Sequence, residues 1–230
     1  ERAETFLAEH LCQGDTLSAA WRDGRRSGPG FLDDYAYFAL AQTSLYEATL
    51  DVRFLETARR ICDRAEALFH DEKNGGYTLS GKENERLIFA ARETYDGAMP
   101  SGNSVMAYNL VQLISLTDES RYLDLAERQL AFLAGDARRY PAGYCFYLLA
   151  LSHYLDPPRH ITVILKDEAE RMRCRGRFGL DTEVRVISPP TEEFPLLNGE
   201  TTYYVCQNHS CHPPTNELPT ERSGRHLAGD

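Results

Sequence analysis

Apolar positions recur at a helical period along the first two thirds of the chain. From Val52 to Phe69 they are Phe54, Leu55, Ala58, Ile61, Cys62, Ala65 and Leu68, one broad stripe of an amphipathic helix. The preceding segment, Tyr35 to Leu50, holds a rougher version with Tyr35, Phe38, Ala39, Leu45 and Tyr46, and Asp33 or Asp34 stands where an N-cap belongs. Asn74-Gly75-Gly76 breaks the pattern, and Tyr77-Thr78-Leu79 is predicted as a short strand. Asn103 to Leu116, Ser120 to Ala134 and Ala142 to Leu155 follow as three more helices. The last is apolar nearly all round, the pattern of a buried helix. Residues 1–155 are therefore predicted as helix after helix, beginning inside one at Glu1-Arg2-Ala3-Glu4, as if the chain were part of something longer.

The period changes after Asp156-Pro157-Pro158. The β-branched run His160 to Leu165 predicts a buried strand, Glu168 to Arg175 a short helix, Glu183 to Ile187 a second strand and Thr201 to Cys206 a third. Strand, helix, strand makes residues 156–215 a small α/β appendage. The tail, residues 216–230, is predicted to be poorly ordered from its Pro, Thr, Glu and Gly content.

The helical part also repeats. Arg53, Leu55, Ala58 and Arg60 fall on Arg121, Leu123, Ala126 and Arg128 when the chain is slid by 68 residues, with Phe54 on Tyr122 and Glu56 on Asp124. Such spacing predicts an array of helical hairpins. The start of a helix in each repeat carries polar residues, and the candidate chemistry lies there.

Bulk composition narrows the function. A formal net charge of -10 without a basic run argues against nucleic acid as a partner. No apolar run approaches the ~18 residues of a membrane-spanning helix, and no secretory signal is visible. Six cysteines in a domain of this size do not suggest a disulfide scaffold, so a reducing cytoplasmic setting is expected.

Tyr95-Asp96-Gly97-Ala98-Met99-Pro100-Ser101-Gly102-Asn103-Ser104 is the strongest candidate site. Ser101 or Asn103 can cap the following helix, leaving Tyr95 and Asp96 to reach a ligand; an acid beside a tyrosine suits sugar hydroxyls or proton transfer. The alternative is that Asp96 and Ser101 only satisfy loop backbone groups. Asp33-Asp34-Tyr35 holds the equivalent place one hairpin earlier. Two adjacent carboxylates cannot share one cap, although capping plus the helix dipole can account for their presence. Trp21 and Tyr37 can stack on a sugar, or simply pack. Cys206-Gln207-Asn208-His209-Ser210-Cys211-His212 gathers four metal-type donors, but no second pair exists to complete a zinc site, so no metal or other cofactor is expected. Asp71 to Tyr77 lacks calcium-loop spacing and reads as a turn. No G-x-S-x-G, phosphate loop or G-x-G-x-x-G occurs.

Leu32-Asp33-Asp34-Tyr35-Ala36, Leu45-Tyr46-Glu47-Ala48-Thr49, Phe69-His70-Asp71 with Gly75-Gly76-Tyr77, the Tyr95–Ser104 block and Tyr204 to Pro214 together resemble the spermatogenesis-associated protein 20 or YyaL-type family. The resemblance spreads over residues 31–215. It implies a mainly α fold, an incomplete (α/α) toroid of the six-hairpin glycosidase type, with the small α/β appendage behind it. It also implies a thioredoxin-like domain as a partner outside this chain. By the same resemblance, Asp33, Asp34, Tyr35, Tyr95, Asp96, Ser101 and Asn103 lie at or near the mouth of the ring. The resulting expectation is a carbohydrate-directed domain that binds a sugar, or processes one as a glycosidase or 2-epimerase does. Asp96, Asp34, Asp33 and Tyr95 are its catalytic candidates; Tyr35, Ser101, Asn103 and Trp21 are its substrate contacts. The competing expectation is a non-catalytic scaffold supporting the thioredoxin-like domain.

Overall fold

A computed structural model describes residues 1–85, 88–179, 181–207 and 210–219. The predicted tail from residue 220 onward, and Asn208 and His209 of the donor-rich segment, lie outside the described residues. The chain divides into two compact units, one of Glu1–Tyr46 and Asp51–Pro157, the other of Glu47–Leu50 and the residues from Pro158 onward.

The first unit opens with helix α1 (Arg2–His10), and then departs from the helix-after-helix expectation. Strands β1 (Cys12–Gln13), β2 (Thr16–Arg22) and β3 (Arg25–Pro29) form an antiparallel meander. The β2–β3 turn is Asp23-Gly24, both at positive φ (52° and 77°), with Arg22 paired to Arg25. A two-residue Asp-Gly turn of this kind matches the right-handed twist of the strands it joins. That dipeptide is the signal a helical reading passes over.

Helices α2 (Leu32–Thr49), α3 (Val52–Phe69), α4 (Gly102–Thr117), α5 (Ser120–Arg139) and α6 (Cys145–Leu155) follow. The residues matched by the 68-residue shift sit on α3 and α5, and their first turns are alike. Arg53 pairs with Asp51 and Arg121 with Glu119, in each case the N-cap residue of the helix. α4 is the central helix: Asn103, Ser104, Val105, Met106, Ala107, Asn109, Leu110 and Leu113 are all fully buried. It packs on α3, α5 and α6. It also runs beside α2 in the same direction, with Asn109 Nδ2 donating to Ala36 O (2.9 Å) and Thr43 Oγ1 to Gln112 Oε1 (3.1 Å).

Two expectations fail here. Tyr77 to Leu79 is not a strand; Tyr77 makes a single bridge to His70, because Asn103 holds its backbone from the other side. α6 is not a buried helix, since Leu148, Leu149 and Leu155 are exposed and only Tyr147 and Ala150 are buried. All-round apolarity states what a helix avoids, not which neighbours it has.

The second unit contains strand β4 (Arg159–Ile164), α7 (Glu168–Cys174), β5 (Thr182–Ile187), β6 (Thr202–Gln207) and β7 (Ser210–Cys211), in the sheet order β5-β4-β6-β7. β4 and β5 are parallel and joined through α7, the connection a parallel pair requires. Ile161, Val163, Leu165, Cys174, Val184, Val186, Tyr203 and Val205 form its core. Cys206 and Cys211 are disulfide-bonded across the β6–β7 pair. Both are therefore unavailable as thiolate ligands, and no cluster of three metal-type side chains exists among the described residues. The fold is thus helix-rich with two sheets. No described helix is long and apolar enough to cross a membrane.

Candidate functional site

The starts of α2, α4 and α6 meet at one end of the first unit, and the predicted residues distribute among them unequally. Ser101 is the N-cap of α4, its Oγ accepting from Ser104 N–H (3.2 Å). Behind it stands Asp96, which is not free to reach a ligand as expected. Its Oδ1 accepts from Ser101 N–H (2.9 Å) and Ser101 Oγ (3.2 Å). Its Oδ2 accepts from Phe146 N–H (2.9 Å) and Tyr147 N–H (3.3 Å), in the first turn of α6. One carboxylate thus serves the unpaired N–H groups of two helix ends, where the helix dipole also favours a negative charge.

Asn103 is buried and fully engaged. Its amide nitrogen donates to Tyr77 O (2.9 Å) and Glu93 O (2.8 Å), while its oxygen accepts from Tyr77 N–H (2.9 Å) and Gln129 Nε2 (3.0 Å). It pins two loops to α4 and to α5. Tyr35 is 1% exposed, its hydroxyl accepting from Leu17 N–H (2.9 Å) and its ring edge-on to Phe69. Trp21 lies on β2 and stacks on His10 of α1, ring centroids 4.6 Å apart. These last two positions hold the sheet and α1 in place, and among the described residues no hydrogen bond or ring contact ties Trp21 to the α4 start.

The adjacent aspartates divide their labour. Asp34 Oδ2 accepts from Phe31 N–H (2.8 Å), closing the start of α2 from inside its first turn. Burial raises its pKa, and that hydrogen bond opposes the rise. Asp33 lies beside the first residue of α4, Gly102, where a Cβ would collide with Asp33 Oδ1 and crowd Leu32. That oxygen is buried and accepts no hydrogen bond among the described residues. Burial raises the Asp33 pKa; the facing Gly102 N–H lowers it, and the charges of Asp34 and Glu93 raise it further.

Aromatic rings border this group. Tyr37 Oη donates to Pro100 O (2.7 Å), and its pKa is raised by burial first and then by the Asp33 and Asp96 carboxylates. Tyr95, 50% exposed, stacks with Tyr140 at an interplanar angle of 2° and meets Tyr144 edge-on. Gly143 lets both stacked rings close in, since a Cβ there would strike Tyr95 and Tyr140. Asp96 N–H donates to Gly143 O (2.8 Å), tying this turn to the loop. Tyr140, Tyr144 and Glu93 are additions to the sequence-derived set. The signal for the first two was Tyr140-Pro141-Ala142-Gly143, Pro and Gly punctuation before α6 like that before α4.

No protein-family model matches the chain. Human spermatogenesis-associated protein 20 is 29% identical over 205 residues, an alignment covering 82% of this chain and 26% of that protein. The chain is homologous to spermatogenesis-associated protein 20. The rat protein of the same name is 28% identical over the same length and coverage. An uncharacterised Caenorhabditis elegans protein is 29% identical over 108 residues, covering 46% of this chain and 14% of its own. The chain thus spans about a quarter of the length of the spermatogenesis-associated protein 20 sequences it matches. Among solved structures, a GH76 α-mannanase of Bacteroides thetaiotaomicron superposes with a TM-score of 0.44 at 17% identity, over 56% of this chain and 35% of that one. That likeness is too loose to assign a fold.

Proposed function

We propose that the first unit is a carbohydrate-directed domain, a segment of an (α/α) toroid whose ligand meets the starts of α2, α4 and α6. The observation that carries this reading is Asp33, a carboxyl with a raised pKa and an unbonded buried oxygen beside the start of a second helix. Exposed tyrosine rings lie at the same end of the helices. Aromatic faces suit the C–H faces of a sugar ring, and carboxyls suit its hydroxyls. Burial holds the Asp33 proton more tightly than water would, the direction that suits a general acid. In this reading Asp33 is the acid and Tyr95 with Tyr140 offers the stacking surface. Asp96 is a positioning residue that fixes both helix starts, with Ser101 and Asn103 supporting the loop. Asp34 orients the start of α2. If a second carboxylate completes a hydrolytic pair, the exposed Glu93 is nearer to hand than Asp96, whose oxygens are all occupied.

The competing reading, a scaffold for a thioredoxin-like domain in the cytoplasm, is favoured by a separate observation. Tyr140 and Met99 are 56% and 65% exposed, a surface that also suits a protein partner. A thermal-shift screen against mono- and disaccharides and their phosphates separates the two, followed by turnover assays on any hit. A ligand at ~100 times its Kd stabilises by about 2.7 kcal/mol. The expected result is a hit weakened by Tyr95→Ala, with turnover abolished by Asp33→Asn while the fold is retained. A hit that survives both changes overturns the site assignment. No hit across the panel moves the scaffold reading ahead.

A further inference from the structure

The second unit carries a feature that the first unit's chemistry does not use. Arginines alternate along Arg171-Met172-Arg173-Cys174-Arg175-Gly176-Arg177 in a chain whose net charge is -10. Two of them have structural work: Arg171 Nη1 donates to Thr49 O (3.1 Å) and Arg175 Nε to Ala48 O (2.9 Å). Arg173 pairs with Glu170, and its side chain is 77% exposed. Arg173, Arg175 and Arg177 line a groove of about 560 Å3, together with Glu170, Met172, Tyr203 and Leu218. Its charged lining is thus three guanidinium groups against one carboxylate, and its remaining walls are apolar or aromatic. The hydroxyl of Tyr203 is already engaged with Cys174 Sγ (3.3 Å), so Tyr203 offers its ring rather than a polar atom.

Guanidinium groups bind phosphate oxygens in pairs and are desolvated more readily than ammonium groups. A volume of this size falls within the range of small-molecule sites. Two of the backbone carbonyls at the end of α7 are covered: Arg171 O accepts from Arg175 N–H and Cys174 O from Arg177 N–H. The geometry points to a binding site for a small organic phosphate, its phosphoryl group held by Arg173 and Arg177 and its apolar body against Met172 and Leu218. This site is independent of the sugar reading of the first unit.

The test uses phenyl phosphate as the probe, with inorganic phosphate and phenol as its two halves, in titration calorimetry on the intact chain. Saturable 1:1 binding is expected, tighter for phenyl phosphate than for either half. Combining Arg173→Gln with Arg177→Gln should weaken it by about tenfold or more, the loss of at least one charged hydrogen bond. A second measurement needs no variant. Phenyl phosphate should protect Arg173 and Arg177 of the unaltered chain from phenylglyoxal, while the exposed Arg22 keeps reacting. No saturable binding, inorganic phosphate binding as tightly as phenyl phosphate, or equal protection at Arg22 would each overturn the proposal.

Discussion

Asp33 and Asp96 occupy matching places, at or just before the start of a long helix, one hairpin apart. Asp96 accepts four hydrogen bonds and ties the start of α4 to that of α6. Asp33 has an oxygen that accepts none, and burial holds its proton more tightly than in water. Position along the helix does not separate them; the donors around each do. A carboxylate with every lone pair engaged is a strut, because taking it to a ligand would strand several N–H groups. Asp33, packed against Gly102 and with one buried oxygen that makes no hydrogen bond, is not consumed by the fold in that way. The lesson extends to Asn103 and Glu93: the first is conspicuous in sequence and wholly consumed by the fold, the second inconspicuous and exposed.

Among substitutions at these residues, the largest effect is expected at Asn103. Asn103→Ala leaves the backbone of Tyr77 and Glu93 without partners in a buried setting, and should cost about 3 kcal/mol or more in denaturant unfolding. A cost under about 1 kcal/mol would show that water replaces the amide, and that the loop is not pinned as described.

Asp96→Ala comes next. It removes the side-chain cap of α6 and the acceptor that holds Ser101, the N-cap of α4; a lost cap is worth about 0.5–2 kcal/mol, so a loss of roughly 2–3 kcal/mol is expected. Asp96→Asn should fall between that variant and the natural chain, because an amide keeps one acceptor oxygen but turns N–H donors toward N–H donors. If Asp96→Asn retained full stability while abolishing a sugar response, the strut assignment would be wrong and Asp96 would return to the chemistry. Asp34→Ala removes a single link at the start of α2 and should cost about 1 kcal/mol.

Asp33→Asn is the smallest in stability and the most telling in pH. The folded state raises this pKa, so between the unfolded and folded values the native chain binds more protons than the unfolded one. Stability contributed by the group is therefore fullest at low pH and declines as pH rises through that window. Asn imitates the protonated acid. The variant should melt at or above the natural chain at pH 7, and the two curves should converge as acid protonates Asp33. A variant less stable at pH 7, with a gap that closes in acid, would mean the ionised form is the one the fold prefers. Asp33 would then join Asp96 as a strut.

Much of the architecture was legible from pattern alone. The stripe from Phe54 to Leu68 defines α3 to its terminal residues, and the β-branched run at Ile161 defines β4. Both signals are local, since a period of 3.6 or of 2 records which face meets the core. Asp23-Gly24 was legible as well, but a helical frame hid it. The site was less so. The donors to Asp96 Oδ2 lie 50 and 51 residues away, and the Ala36 carbonyl that Asn109 meets is 73 away. No window along the chain contains both halves of such a bond.

Pattern and composition were enough for the helices from α2 onward and strands β4 to β6, the acid excess, the two stretches of polar residues at helix starts and the homology to spermatogenesis-associated protein 20, but not for the β1–β3 meander. Which of those polar residues are consumed in holding the fold was set by contacts between distant segments. The tertiary structure put Tyr35 and Asn103 in the interior, occupied Asp96, left an oxygen of Asp33 unbonded, and exposed half of an apolar α6. Secondary structure follows from periodicity, which neighbouring residues share. Hydrogen-bond inventory and burial are instead set by segments that meet only after the chain has folded.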